Sequence, residues 1–462
     1  MKRIAFLLTA SAAAIAAPAM AQQTPAEMQA ELEELRNRVQ TLETLVERLT
    51  QDQSRTAAQA AEAGQAAAAA QASAEQTAAT VAAAPEVSFG AAARASDDNG
   101  WSFQPFGRLQ YDFAHVGEPD GIADPGLGFS NELRRGRVGV QGDIPGGFGY
   151  KLEVDFADND VAVTDAIITY ETGDFDFTVG QHNNFQGLEE LTSSRFTSFM
   201  ERAAFTDAFN FERRVGASVG YAAGDVRVNA GVFTDDIDAL TDDGNNGHSI
   251  DGRIVFSPQV GDTQLHFGAN AHWRELAELR DVSVNPGARY RQRPFVHTTD
   301  TRFIDTAGLA VQEETSFGLE AAVISGRFHA VAEGHWLTAE LANAADPTFF
   351  GGYVEAGVFL TGDRRGYRGG RFDRTRPNSP VGEGGIGAIQ FNVRYDYLDL
   401  SDAGVMGGRQ NLIGASLIWT PIDYARISIN YGRAEYNDTP IPGLIDNDFG
   451  VDVFGLRTEV DF

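Results

Sequence analysis

From Trp101 to Phe462 apolar and polar residues alternate at a period of two, in segments of about ten residues separated by glycine-bearing breaks. Leu109, Tyr111 and Phe113 share one face of such a segment and Arg108, Gln110 and Asp112 the other. At the far end Phe454, Leu456, Val460 and Phe462 oppose Arg457, Glu459 and Asp461. The pattern predicts an all-β structure of sixteen strands, the first near 102–115 and the last near 449–462. Pro145-Gly146-Gly147, Thr172-Gly173, Ala222-Ala223-Gly224, Ser325-Gly326 and Thr420-Pro421-Ile422-Asp423 read as tight turns, whereas 116–131, 182–212, 235–247, 275–314 and 437–448 read as long loops. Tight turns at one rim and long loops at the other describe an antiparallel transmembrane β-barrel of sixteen strands. Lipid cannot hydrogen-bond an exposed backbone, so only a closed ladder satisfies every N–H and C=O there.

The chain ahead of Trp101 is written differently. Lys2 and Arg3 precede an apolar run from Ile4 to Ala17, and Ala19-Met20-Ala21 supplies a small-x-small cleavage pattern, so 1–21 is expected to be a signal peptide. Met28, Leu32, Leu35, Val39, Leu42, Val46 and Leu49 then fall at alternating steps of four and three, a heptad seam flanked by Glu31, Glu34, Arg36, Arg38, Glu43, Glu47 and Arg48. Residues 22–56 are accordingly expected to be a short helical coiled coil, and 57–100, rich in alanine and glutamine, a linker to the barrel domain 101–462. An even strand number puts both ends of the barrel at the periplasmic rim, which makes the coil periplasmic and the protein a resident of the bacterial outer membrane.

Charge narrows the function. With 36 basic and 65 acidic residues the formal net charge is −29, the wrong sign for nucleic-acid binding. Cysteine is absent, which removes disulfide frameworks and thiolate metal sites. Lysine occurs only at Lys2 and Lys151, so nearly all positive charge sits on arginine, the planar fork that suits oxyanions. Strand alternation sends Arg108, Arg214, Arg227, Arg253, Arg274, Arg394 and Arg426 to the lumen side. The segment NELRRGRVGVQ, Asn131 to Gln141, adds Arg135 and Arg137 there, with Arg134 near the strand end. Three arginines within four residues repel one another unless an anion or nearby acids such as Glu153, Asp155 and Asp165 compensate. An anion site and an internal salt-bridge web are both compatible with these residues.

The strings GRLQYDF from Gly107, LRRGRVGVQG from Leu133, YKLEVDFAD from Tyr150, VTDAIITY from Val163, GLEELTSSRFTSFMERAAFTDAF from Gly187, YVEAGVFLTGDRRGY from Tyr353 and the closing GLRTEVDF resemble the phosphate-selective porin O and P family across 101–462. The resemblance implies a homotrimer of sixteen-stranded barrels, a third external loop folded into the channel, and an arginine-lined path to a central anion site. It implies a constriction containing Arg108, the pair Arg134 and Arg135, the tempering acid Asp165, and Arg202 at the end of the third loop. Arg195 stands where family members carry a lysine. Glu190 stands where well-known members have a basic residue, and Asn183 and Arg137 replace expected aromatics, so the resemblance supports a porin more firmly than a strict phosphate channel.

The expected function is therefore passive diffusion of small anions, plausibly phosphate or polyphosphate, with lipid, lipopolysaccharide and further copies of the chain as partners. A weakly selective porin with a tethering coil is the alternative. Acids on external loops are screened from the constriction, because the Debye length is about 8 Å at physiological salt. His266 and His272 face the lumen from one strand and His329 and His335 from another, but no serine motif accompanies them; no catalysis, cofactor or metal centre is expected. The strand count also places the arginine-rich segment 362–385, with Arg364, Arg365, Arg368, Arg371, Arg374 and Arg376, at the short-turn rim, where it should fold into the channel mouth as an exit funnel.

Overall fold

The computed structural model describes residues 25–82, 88–89, 93–97, 99–157, 160–240, 246–276, 287–441 and 446–462. The expected leader, 1–21, lies outside these. The chain divides into two units, Met1–Ala84 and Pro85–Phe462.

In the first unit, helix α1 runs from Pro25 to Ala82, 58 residues, without a break at the expected 56/57 boundary. Its composition explains the continuity: alanine, leucine, glutamate, glutamine and arginine, the strongest helix formers, dominate it, and Gly64 is its single glycine. Proline occupies the first helical position, where its missing N–H costs nothing.

The second unit is a barrel of sixteen strands: β1 Ser102–Val116, β2 Gly128–Ile144, β3 Phe148–Asp155, β4 Ala162–Thr172, β5 Phe175–Asn183, β6 Arg213–Ala223, β7 Val226–Phe233, β8 His248–Phe256, β9 Thr263–Glu275, β10 Leu309–Ser325, β11 Phe328–Leu341, β12 Thr348–Phe359, β13 Ala388–Asp402, β14 Val405–Ile422, β15 Ala425–Asn437 and β16 Phe449–Asp461. Each pairs antiparallel with its sequence neighbour. β16 returns to β1 in the register Asp461↔Arg108 through Val453↔Val116, which closes the ring and leaves no edge. The strands correspond one for one with the alternating segments of the sequence. A short strand, Ala93–Ser96, adds to the start of β1.

The barrel is apolar outside and polar inside. Leu109, Ile168, Ile254, Val354, Ile413 and Phe454 are exposed, whereas Asp112, Glu320, Glu355, Asn392, Asn430 and Arg457 are buried. An apolar outer wall of this height is the surface acyl chains accept. Among the described residues no helix is long and apolar enough to cross a membrane.

Tight connections at 145–147, 173–174, 224–225, 326–327 and 423–424 share one rim, and 117–127, 184–212, 234–247, 276–308 and 438–448 share the other. Two connections depart from this rule. On the long-loop rim, β13 and β14 meet in a two-residue turn, where Ala403 (φ 50°) and Gly404 (φ 90°) both take the left-handed backbone that a tight hairpin needs. On the short-turn rim, 360–387 is long, as the strand count requires, and it carries its own small hairpin, Gly366–Arg368 with Arg371–Asp373.

Rim assignment is testable by labelling, since the chain has no cysteine of its own. A cysteine replacing Arg368, which is exposed on the 360–387 segment, should resist an impermeant maleimide on intact cells and react after the outer membrane is opened; one replacing Ala344 on the opposite rim should react at once. Equal reaction of both on intact cells would remove the assignment.

Candidate functional site

Two inserts enter the barrel from opposite rims. The third long loop, 184–212, folds inward from one side, and 360–387 folds inward from the other. The loop is seated by charge. Glu333 of β11 accepts hydrogen bonds from the Leu188 and Glu189 backbone N–H groups (2.6 and 2.8 Å), and Asp396 of β13 accepts one from Ala204 (2.9 Å). Asn430 of β15 accepts one from Met200 (3.3 Å). Glycine makes the space for it: a Cβ at Gly455 would lie 2.7 Å from Met200 Sδ, and one at Gly432 would lie 2.7 Å from Phe295 of the neighbouring loop.

The second insert is held the same way. Arg253 of β8 donates to the Gly370 carbonyl (2.9 Å), and the Tyr367 hydroxyl is hydrogen-bonded to His266 Nδ1 (2.6 Å). Arg374 reaches Asp461 (3.0 Å). The inserts meet at Arg365, which donates to the Ser198 hydroxyl (2.5 Å) and the Phe196 carbonyl (3.2 Å) and pairs with Glu355 (3.1 Å). On the long-loop side of this junction lies a cavity of about 300 Å³ lined by Arg134, Glu190, Glu201, Arg202 and Arg293 among others. On the other side the space shrinks to about 20 Å³, room for a water, between Arg195, Arg365, Arg374 and Arg426.

All three arginines of the NELRRGRVGVQ segment turn inward, and a β-bulge is the reason. Gln110 pairs with Arg135 and Tyr111 with Leu133, so Arg134 is the extra residue, freed from strict alternation. Arg134 forms a two-pronged pair with Glu201 (2.9 and 3.1 Å). Burial alone would push the Glu201 carboxyl up, but Arg134 and Arg457 hold it well below the usual carboxylate range. Arg137 bonds Asp155 (2.6 Å) and Glu153 (2.9 Å), and Arg108 bonds Ser194 (2.9 Å) and Glu153 (3.3 Å). Arg135 donates to Gln110 (2.9 Å) and has no ion-pair partner among the described residues; Gln110 in turn bonds Glu459.

Lys151 and Arg213 share Asp165 (2.6 and 3.1 Å), Arg195 pairs with Asp461 (2.9 Å), and Arg202 with Glu190 (3.3 Å). The partners sit at different depths. Side chains of Lys151, Arg213, Arg195 and Arg202 are 28%, 26%, 25% and 22% exposed, whereas Asp165, Asp461 and Glu190 are 8%, 4% and 8% exposed. Water therefore meets the cationic heads first, with the acids behind them. Lys151 and Arg213 were not among the residues singled out in the sequence, although Lys151 is the barrel's sole lysine.

The expected arginine path needs correcting. Arg214, Arg253 and Arg394 point inward but are buried, so they line no water-filled bore. Arg253 grips Glu320 through two bonds (2.8 and 2.6 Å), Arg394 binds Glu355 (2.7 Å) and Glu189 and lies over the Phe199 and Tyr353 rings, and Arg214 faces Glu212 (3.6 Å). Arg426 donates to the carbonyls of Arg195 (2.8 Å) and Thr197. These groups fasten the inserts. Arg227 (3.6 Å to Asp176) and Arg274 (2.6 Å to Asp235) remain half-buried. The lumen faces of β9–β16 are filled by the inserts, while Gln141, Lys151, Thr169, Thr178, Ser218 and Asn229 on β2–β7 stay partly open.

The residues 103–462 match the family described as phosphate-selective porin O and P. The chain belongs to this porin family. It is a β-barrel porin of the bacterial outer membrane. A Caulobacter vibrioides protein, described as uncharacterized, is 52% identical over 370 residues, which cover 78% of this chain and 74% of that one. Among solved structures, an anion-selective porin from Comamonas acidovorans shares the fold at TM-score 0.51 and 11% identity, over 78% of this porin and 100% of that chain. The trimer form of OmpT, an outer membrane protein of Vibrio cholerae, does so at TM-score 0.50 and 12% identity, over 79% and 100%.

Arg394→Ala should strip the buried carboxylates Glu189 and Glu355 of their shared cation and cost about 3–5 kcal/mol, seen as a lower denaturant midpoint for the detergent-solubilised barrel. A midpoint unchanged from the parent would show that the inserts are held by something else.

Proposed function

We propose that this porin is a passive channel that prefers small anions, inorganic phosphate among them. The observation that carries the reading is a difference in depth along the lumen, where the side chains of Lys151, Arg195, Arg202 and Arg213 are 22–28% exposed and the acids paired with them 4–8%. A solute passing within a few ångströms is governed by the nearest charges, because low-dielectric walls magnify them while distant loop acids are screened. Guanidinium groups then offer an oxyanion two parallel N–H bonds in place of part of its hydration shell. Each cation also keeps its carboxylate, which tempers affinity and lets the anion leave, as conduction requires. Arg365 and Arg374 of 360–387 border the narrow space and extend the same surface toward the exit. A homotrimer is the assembly that accords with family membership and with the trimer form of the Vibrio cholerae relative.

Selectivity is read from the reversal potential of the reconstituted channel in a salt gradient. Replacing Arg195 and Arg213 together by alanine should move it toward cation preference; a potential identical to the parent's would defeat the proposal.

Glu190 supplies a test of opposite sign. Burial pushes its carboxyl above the ordinary value against the pull of Arg202, Arg213 and Arg135. A raised group takes up its proton at higher pH than ordinary carboxylates, so mild acidification removes a negative charge from the constriction. Anion preference should rise as pH falls through that range, and Glu190→Gln should show the higher preference already at neutral pH with the pH response lost.

A further inference from the structure

Helix α1 exposes a ladder of apolar side chains. Met28, Leu32, Leu35, Val39, Leu42, Val46 and Leu49 are each half or more exposed, and Leu45 beside them is 51% exposed. They occupy consecutive a and d positions, with Leu32, Val39 and Val46 at a and Met28, Leu35, Leu42 and Leu49 at d. Leu45, at a g position, widens the stripe. A helix with so much apolar surface on one side gains its stability from packing, since helices in isolation are marginal in water.

We infer that α1 pairs in parallel and in register with α1 of further copies of this chain. Three features choose that occupant. The repeat is strictly seven residues over the seam, which matches a second helix of the same repeat and imposes a supercoil with it. The flanking charges complement in the parallel register: Arg38 at g of one helix faces Glu43 at e of the next heptad on its neighbour. The i,i+4 contact that Arg38 makes with Glu34 in its own helix is solvent-exposed and weak, so it does not hold Arg38 back. Finally, beyond Gln53 and Thr56, which interrupt the apolar seam at a and d, Ala60, Ala63, Ala67, Ala70 and Ala74 fall at the a and d positions of the same register, and Gln59, Glu62, Gln65, Gln71 and Glu75 fall elsewhere. In every copy α1 precedes the barrel in the chain, so its C-terminal end is the one tied to it.

The inference rests on the helix alone and is independent of which ion the channel prefers. The absence of native cysteine makes the test direct. Leu42→Cys, at d, is introduced into the full chain, which is purified in detergent and oxidised with a copper catalyst. A disulfide-linked dimer should form. Asn37→Cys, at the outward f position, should give none. Within the Leu42→Cys protein, Arg38→Glu should reduce the dimer band and the added change Glu43→Arg should restore it. No cross-link at Leu42→Cys, or equal cross-linking at both positions, overturns the inference, including the case of helices that run antiparallel or dock on another partner. Conductance measured on the same preparations separates this result from failure of the channel reading.

Discussion

The closed ladder of sixteen antiparallel strands is the constraint from which the rest follows. With β16 bonded to β1, no backbone group faces lipid unpaired, and each strand is free to present apolar side chains outward. The same alternation has a second consequence. Most charges on the strands are directed into one lumen, Arg433, Glu435 and Asp452 being exposed exceptions, so the interior of this porin must reconcile many arginines with many carboxylates in a small volume.

The molecule does so by recruiting chain from both rims. The loop 184–212 and the segment 360–387 bring backbone N–H and C=O groups, hydroxyls and further charges to the wall. Glu333, Asp396, Arg253 and Arg457 of the wall each make at least one hydrogen bond to this added chain, and Arg365 ties one insert to the other. Buried ion pairs of this kind add little net stability over apolar packing, yet removing one partner is costly. They therefore fix where the inserts lie more than they add to overall stability. The two inserts fill the lumen beside β9–β16 and leave the wall of β2–β7 more open, with Lys151 and Arg213 partly exposed over Asp165.

Much of this was legible in the chain. Period-two alternation showed the strands, and outward Leu109, Val138 and Ile254 sufficed to send Arg108, Arg137 and Arg253 inward. The parity of the strand count placed 360–387 on the short-turn rim. Less legible was the fate of each inward arginine. Arg253 and Arg227 read alike as inward arginines set by the apolar residues beside them, but one is buried against Glu320 and the other stays half-buried over Asp176. The inward turn of Arg134 was hidden as well, because a bulge breaks the alternation from which facing is read.

The sequence by itself determined the barrel, its strand order, the inward facing of its charges and the apolar ladder of α1, because each depends on local periodicity and on the solvent each face can tolerate. Only the tertiary structure decided which arginines remain open to solutes. That choice depends on contacts between residues far apart in the chain, Arg365 with Ser198 and Arg195 with Asp461 among them, and pairing depth is a property of how two inserts pack, which no repeat or spacing encodes.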